Sequence, residues 1–435
     1  MDWYRELDGR QRKAFWACFG GWALDAMDVQ MYALVMPAIM AAWKMSKSEA
    51  GMLGTVALVA SSVGGAIAGN LADRFGRVKV LQVSILWFSL FTFLSGLAQT
   101  DLQLLAARTL QGLGFGGEWA AGAVLMAEMI APKNRGKTLA AISSGWSVGY
   151  GLAAIIFTVL FQMVEPRLAW RIMFFLGALP AGLILFVRQS VSEPEMYVRS
   201  KQYEVTRPRI QDIFRRELIG RTTLAWAICL GVLGGNYTVL TWLPTYLQSE
   251  HHLSSSNTGL YLLVNIVGSF LGYNIGGVVA DRLGRRRALQ VFAALGVISV
   301  VGYLLLGFNP LLVMLLGFPL GFAQSGMNAG LAPLLSELFP TRLRATGQGF
   351  CYNAGRGLGA LFPALVGLAA EHTSLTLAIA IIAACAYAVT ALASLGIRET
   401  KSLRLEAVDG FLASPMAEDR DDGPVKPLRA TGTDD

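Results

Sequence analysis

Apolar residues along this chain come in runs of about 20 or more, broken by short polar and basic turns. A helix of about 20 apolar residues crosses the hydrocarbon core of a bilayer at 1.5 Å per residue. The pattern predicts six spans at residues 14–39, 49–72, 80–98, 102–131, 138–163 and 170–188. Six more follow at 222–248, 257–280, 288–307, 310–339, 345–370 and 374–397. A polar stretch at 189–220, with Arg199, Lys201, Arg207, Arg209, Arg215 and Arg216, separates the two sets. From about residue 400 the chain is rich in Asp, Glu, Pro, Gly and Arg and has no period that would bury a core. The expected organisation is a first six-helix half (1–188), a cytoplasmic linker (189–220), a second half (221–398) and a disordered cytoplasmic tail (399–435). The fold class is an all-α membrane protein of two pseudo-symmetric bundles.

Composition supports this reading. The chain is 54% hydrophobic and 15% charged, against about 25% charged in soluble proteins. The net charge of +7 sits in short loops between spans, which marks topology and not a nucleic-acid partner. Lys133, Arg135 and Lys137 follow the fourth span, and Arg342 and Arg344 follow the tenth. The loops on the other side hold mainly Lys44, Lys47, Arg167 and Arg171. With Arg5, Arg10, Arg12 and Lys13 ahead of the first span, the N-terminus is expected inside, and twelve spans return the C-terminus to the same side. The expected location is the plasma membrane, a bacterial inner membrane, with both termini cytoplasmic. Residues 1–13 show no short apolar core with a cleavage site, so no removable signal peptide is expected.

Cys18, Cys229, Cys351 and Cys385 fall inside spans at spacings that fit no metal motif, and read as packing residues. His251, His252 and His372 fall near outer loops, which argues against a buried histidine relay. No metal or cofactor is called, and no nucleophile–base set points to an enzyme.

One stretch occurs twice. Gly69-Asn70-Leu71-Ala72-Asp73-Arg74-Phe75-Gly76-Arg77 recurs as Gly277-Val278-Val279-Ala280-Asp281-Arg282-Leu283-Gly284-Arg285, 208 residues later. Each copy joins two apolar runs and suits a tight, basic cytoplasmic turn. The halves match further. Glu128 precedes Arg135 by seven residues, and Glu337 precedes Arg344 by seven. These residues are expected to pair at the cytoplasmic ends of spans, either as a gate that locks one state or as topological anchors.

Ionisable groups at membrane depth are costly and mark function. Asp25 and Asp28 lie three residues apart on one face of the first span, roughly 16–21 Å into it. Two carboxylates so placed do not both ionise easily, so one is expected to hold a proton. The alternative is a helix-to-helix bond. Glu118, in Gly112-Leu113-Gly114-Phe115-Gly116-Gly117-Glu118, either joins proton transfer or is a structural acid. Arg356 reaches a similar depth in the eleventh span. Its planar fork suits a carboxylate, either the substrate's or that of Asp25 or Asp28. Arg108 and Gln111 share a face of the fourth span. Tyr32, Trp146, Tyr150, Asn236, Tyr237, Gln324, Asn328, Tyr352 and Asn353 supply aromatic rings and amides at matching depths. Asn236 lies 208 residues after Asp28, so the second half replaces that acid by an amide.

The repeated turn resembles the signature loop of the major facilitator superfamily. Trp3-Tyr4-Arg5, Leu24-Asp25-Ala26-Met27-Asp28, Gln111-Gly112 with Gly117-Glu118, and Arg356 are similar to its organic-acid:proton symporter branch. That branch includes sialate, monocarboxylate, muconate, aromatic-acid and nicotinate transporters. The resemblance covers residues 1 to about 398. It implies a monomer that takes up a small organic anion with a proton by alternating access. In this reading Arg356 holds the carboxylate, Asp25 or Asp28 carries the proton, and Asp73, Arg74, Arg77, Asp281, Arg282 and Arg285 gate. Export of a drug or metabolite, or a non-transporting receptor on the same fold, are the alternatives.

Overall fold

The structure is a computed structural model that describes residues 2–129, 132–179, 182, 210–305, 309–340 and 343–400. At residues 2, 3, 69, 70, 73, 74, 77, 117–129, 132–137, 139, 140 and 345 it describes the backbone alone. After a turn of helix at Asp2–Arg5 come α1 (Gly9–Trp43), α2 (Lys47–Phe75), α3 (Arg77–Leu97), α4 (Asp101–Met129), α5 (Pro132–Met163) and α6 (Pro166–Leu176). The second half has α7 (Ile219–Ser249), α8 (Ser255–Leu283), α9 (Arg285–Leu305), α10 (Pro310–Leu338), α11 (Arg344–Gly359), α12 (Phe362–His372) and α13 (Leu375–Leu395). Among the described residues no strand occurs, and nine helices are long and apolar enough to cross a membrane.

The helices begin where the sequence supplies caps. Asp8 with Gln11, and Ser46 with Glu49, form capping boxes that satisfy the first free amides of α1 and α2. The repeated turns join α2 to α3 and α8 to α9 through Gly76 (φ 110°) and Gly284 (φ 99°), a backbone region that side-chain-bearing residues rarely adopt.

Three expectations change. The eleventh span, expected as one run over 345–370, is broken between α11 and α12. Pro363 sits in the first turn of α12, where it has no amide to give and its ring excludes the helix continuing from α11. The end of the 189–220 linker belongs to the second half. Ile210–Phe214 is a 3₁₀ turn with Ile213 buried in the core, Phe214 edge-on to Phe350, and the Ile213 carbonyl accepting from Thr222 at 2.7 Å. The first two tail residues, Glu399 and Thr400, are docked onto the second half, as described below. The rest of the linker and tail lie outside the described residues.

Within each half the closest crossings use small residues. A Cβ on Gly116 of α4 would collide with the Ser61 carbonyl of α2, and one on Gly321 of α10 would collide with the Asn265 carbonyl of α8. The two crossings join equivalent pairs of helices in the repeat, about one turn apart in position. Such backbone approach is how helices gain dispersion contact in lipid, where the hydrophobic effect between them is weak.

The two halves meet along seams that begin at the side expected to face outside. Gly51 of α2 lies against the Pro363 carbonyl, Gly367 of α12 against the Lys47 carbonyl, and Ala364 N donates to Thr55 Oγ1 at 3.1 Å. Gly259 of α8 lies against Thr158 of α5. Deeper, Ser147 and Ser269 bond at 3.0 Å, and Ser269 bonds Ser325 of α10. These contacts join the halves at the end expected to face outside.

Candidate functional site

Arg356 lies in the last turn of α11, just before the break, and only 2% of it is exposed. Its Nη2 donates across the seam to the Ser61 carbonyl of α2 at 2.6 Å. The guanidinium stands 5.5 Å from the centroid of the Phe115 ring on α4, within the range of a cation–π contact. Tyr237 of α7 and Tyr352 of α11 lie within electrostatic reach of it. Among the described residues no carboxylate pairs with Arg356, and its Nε has no protein partner. A buried cation in such a place is held by a carbonyl and aromatic faces and leaves donor capacity for an anion.

Asp28 is buried in α1, and its Oδ2 accepts from Gln111 Nε2. Gln111 Oε1 in turn accepts from Arg108 Nη1 at 2.7 Å. One amide thus reads an anion with its nitrogen and a cation with its oxygen. The i, i+3 spacing of Arg108 and Gln111 puts both on one face of α4. The Arg108 guanidinium lies 4.7 Å above the Tyr32 ring, and the Tyr32 hydroxyl donates to the Ala50 carbonyl at 2.6 Å. Asp28 Oδ1 and Arg108 Nε have no partner among the described residues. With Asp28 ionised the Asp28–Arg108 cluster has no net charge. With Asp28 protonated it carries one positive charge, and an anion nearby is then favoured. Asp25 is fully buried one turn earlier. The side chain of Glu118 lies outside the described residues.

The other candidates divide. Trp146 packs on Trp22 at 5.2 Å between centroids, and Tyr150 is buried with its hydroxyl unbonded among the described residues. Asn236 accepts from the Tyr387 hydroxyl at 3.1 Å, and that oxygen accepts from Gln324 Nε2 at 2.9 Å. This chain ties α7, α13 and α10 inside the second half. Asn328 and Asn353 donate to carbonyls of their own helices, those of Gln324 and Gly349. Sequence reading missed Tyr387, Phe115, Gln30 and Ser61. Ser61 acts through its backbone carbonyl, so its side chain carries no signal.

A family model described as Major Facilitator Superfamily matches residues 18–363. The chain belongs to the major facilitator superfamily. It is therefore an integral membrane transport protein and not an enzyme. It is 40% identical over 406 residues to a probable 4-methylmuconolactone transporter of Cupriavidus pinatubonensis, covering 93% of this chain and 95% of the relative. It is 31% identical to the cis,cis-muconate transport protein of Acinetobacter baylyi, covering 89% and 94%. The fold superposes on the xylose transporter XylE of E. coli in its inward-open conformation with a TM-score of 0.70, at 18% identity, over 91% of this chain and 98% of that one.

The superfamily's repeated turn carries a polar cluster in the second half. Arg285 pairs with Asp281 one turn back and with Glu337 at 3.2 Å. Glu399 accepts from Arg285 N at 2.8 Å, which satisfies a free amide at the start of α9. Thr400 Oγ1 donates to Glu337 Oε2 at 2.5 Å. Glu337 therefore takes Arg285 and Thr400 as partners, while Arg344 Nε donates to the Ser336 carbonyl at 2.7 Å. The expected Glu337–Arg344 pair is replaced because α10 ends beside the turn, which brings Arg285 to the carboxylate. Arg282 lies in the last turn of α8. In the first half the side chains of Asp73, Arg74, Arg77, Glu128 and Arg135 lie outside the described residues.

Proposed function

We propose that the protein takes up a small organic carboxylate together with a proton, by rocking of one half against the other. The observation that carries this reading is Arg356: a buried guanidinium at the seam, with unused donor capacity and no acid partner among the described residues. A substrate carboxylate supplies the missing charge. The Asp28–Gln111–Arg108 cluster supplies the coupling. A proton on Asp28 leaves the first half one charge more positive, so proton and carboxylate load together as a nearly neutral pair. Loss of the proton on the cytoplasmic side removes that attraction and releases the anion. The closed outer seams suit the step in which substrate leaves inward. Relatives named for 4-methylmuconolactone and cis,cis-muconate suggest the substrate class, an unsaturated acid with a carboxylate and a second oxygen acceptor.

Binding to purified protein tests the carboxylate reading. A ligand that binds only the folded form raises its apparent stability. A panel of organic acids should contain members that raise the melting temperature, and their methyl esters should not. Equal shifts by acids and esters would refute recognition of the charge.

A further inference from the structure

Beside the Asp28 cluster is a water-sized recess of about 20 Å³, lined among others by Gln30, Tyr32, Arg108, Trp146, Tyr237 and Thr241. Gln30 is 2% exposed, and its Nε2 is buried with no hydrogen-bond partner among the described residues. The same holds for Arg108 Nε. A buried donor without a partner is costly, so two residues that line one small recess and each keep an unused donor mark a place suited to an acceptor. The recess has room for a water-sized group. Tyr237 lines it and also lies within electrostatic reach of Arg356. Tyr237 thus links the recess, lined by Gln30 and Arg108 of the first half, to the neighbourhood of Arg356 on the second.

We infer that Gln30 is a specificity-determining residue: with Arg108 it takes a second oxygen acceptor of the substrate, a carboxylate or ring carbonyl, while Arg356 holds the first carboxylate. This inference rests on the carboxylate reading above. The preferred substrates are then bifunctional acids. A substrate that reaches both halves also favours the state in which the halves are brought together around it, because it gains both sets of bonds only there.

The test uses matched pairs of probes on purified full-length protein: cis,cis-muconate against sorbate, phthalate against benzoate, and succinate against butyrate. Each pair compares a diacid with a monoacid of similar skeleton. In the pair the wild type binds, the diacid should bind about tenfold tighter. Gln30→Leu, which keeps the volume and removes the donor, should erase that preference and leave the monoacid within twofold of wild type. Monoacid binding in the same preparation shows that the variant is folded, and Gln30→Glu, which places an anion at the recess, should weaken the diacid further. Arg356→Ala should lose both members of the pair.

Equal binding of the two members by the wild type, or an unchanged preference in Gln30→Leu, would overturn the inference. Loss of both members in Arg356→Ala would then leave the carboxylate reading standing. If the wild type binds no acid at all, that reading falls and the inference with it.

Discussion

Arg356 of the second half donates to the backbone carbonyl of Ser61 in the first half at 2.6 Å. This bond crosses the seam between the halves, so the residue proposed to hold substrate is also a tie between them. A substrate carboxylate that draws the guanidinium toward itself competes with that tie. In the proposed cycle this one side chain would couple binding to the motion of the halves.

Arg356→Ala should weaken carboxylate binding at least thirtyfold, since loss of a buried charge pair costs about 2–5 kcal/mol. Arg356→Lys should restore little, because a point charge cannot reproduce the planar fork. Titration of the purified variants with the best acid of the panel measures both. A Lys variant with wild-type affinity would show that bidentate recognition is not used.

Asp28→Asn mimics a permanently protonated acid and keeps its shape. It should lose uptake driven by a proton gradient and keep exchange of internal for external substrate. Counterflow and gradient-driven uptake in the same liposomes separate the two. If Asp28→Asn accumulates substrate like the wild type, Asp25→Asn is the next variant to assay, because a close pair titrates as a unit, and Glu118→Gln follows.

Arg285 holds Asp281 and Glu337 at the end of α8 expected to face the cytoplasm. Arg285→Ala should slow exchange severalfold and leave equilibrium affinity within about twofold. Stopped-flow exchange alongside binding measures each quantity. A large loss of affinity at normal exchange rates would contradict a gating role.

The seam itself is open to a covalent test. The hydroxyls of Ser147 and Ser269 lie 3.0 Å apart across the halves, which brings cysteines at these positions within reach of each other. Ser147→Cys with Ser269→Cys should lose transport on treatment with a membrane-permeant oxidant and regain it on reduction, while each single variant stays active. Full transport by the crosslinked double variant would show that these residues need not separate.

The fold was largely legible in the chain, and the reasons are physical. Lipid forces every span to satisfy its own backbone, so run length alone located most helices. The glycines of the repeated turns were legible because only glycine tolerates their positive φ, and Gly76 and Gly284 have it. The break after Arg356 was missed because Pro363 lies inside the apolar stretch 357–370, and a proline in a membrane helix need not interrupt it. Arg108 was read toward the outer end of its span, on the face it shares with Gln111, while the ionisable residues at depth, Asp28 and Arg356, stood out by cost. Their partners did not. The Asp28–Gln111 bond joins residues 83 positions apart, and the Arg356–Ser61 bond joins residues 295 apart through a backbone carbonyl. Pairing across such distances depends on helix packing, which periodicity does not encode. Glu399 reads as part of a polar tail until the fold brings it to the start of α9.

The central claim is that an organic acid enters with a proton. The most direct measurement is uptake by wild-type protein in proteoliposomes, with the acid that binds best and an imposed inward proton gradient, read alongside a pH dye in the lumen. Proton-coupled uptake predicts accumulation of the acid above its outside concentration and lumenal acidification that depends on the acid being present. It also predicts that both signals vanish in Asp28→Asn, while Arg356→Ala shows neither uptake nor exchange. Uptake that stops at equal concentrations on both sides whatever the gradient, with no substrate-dependent proton entry, would contradict it.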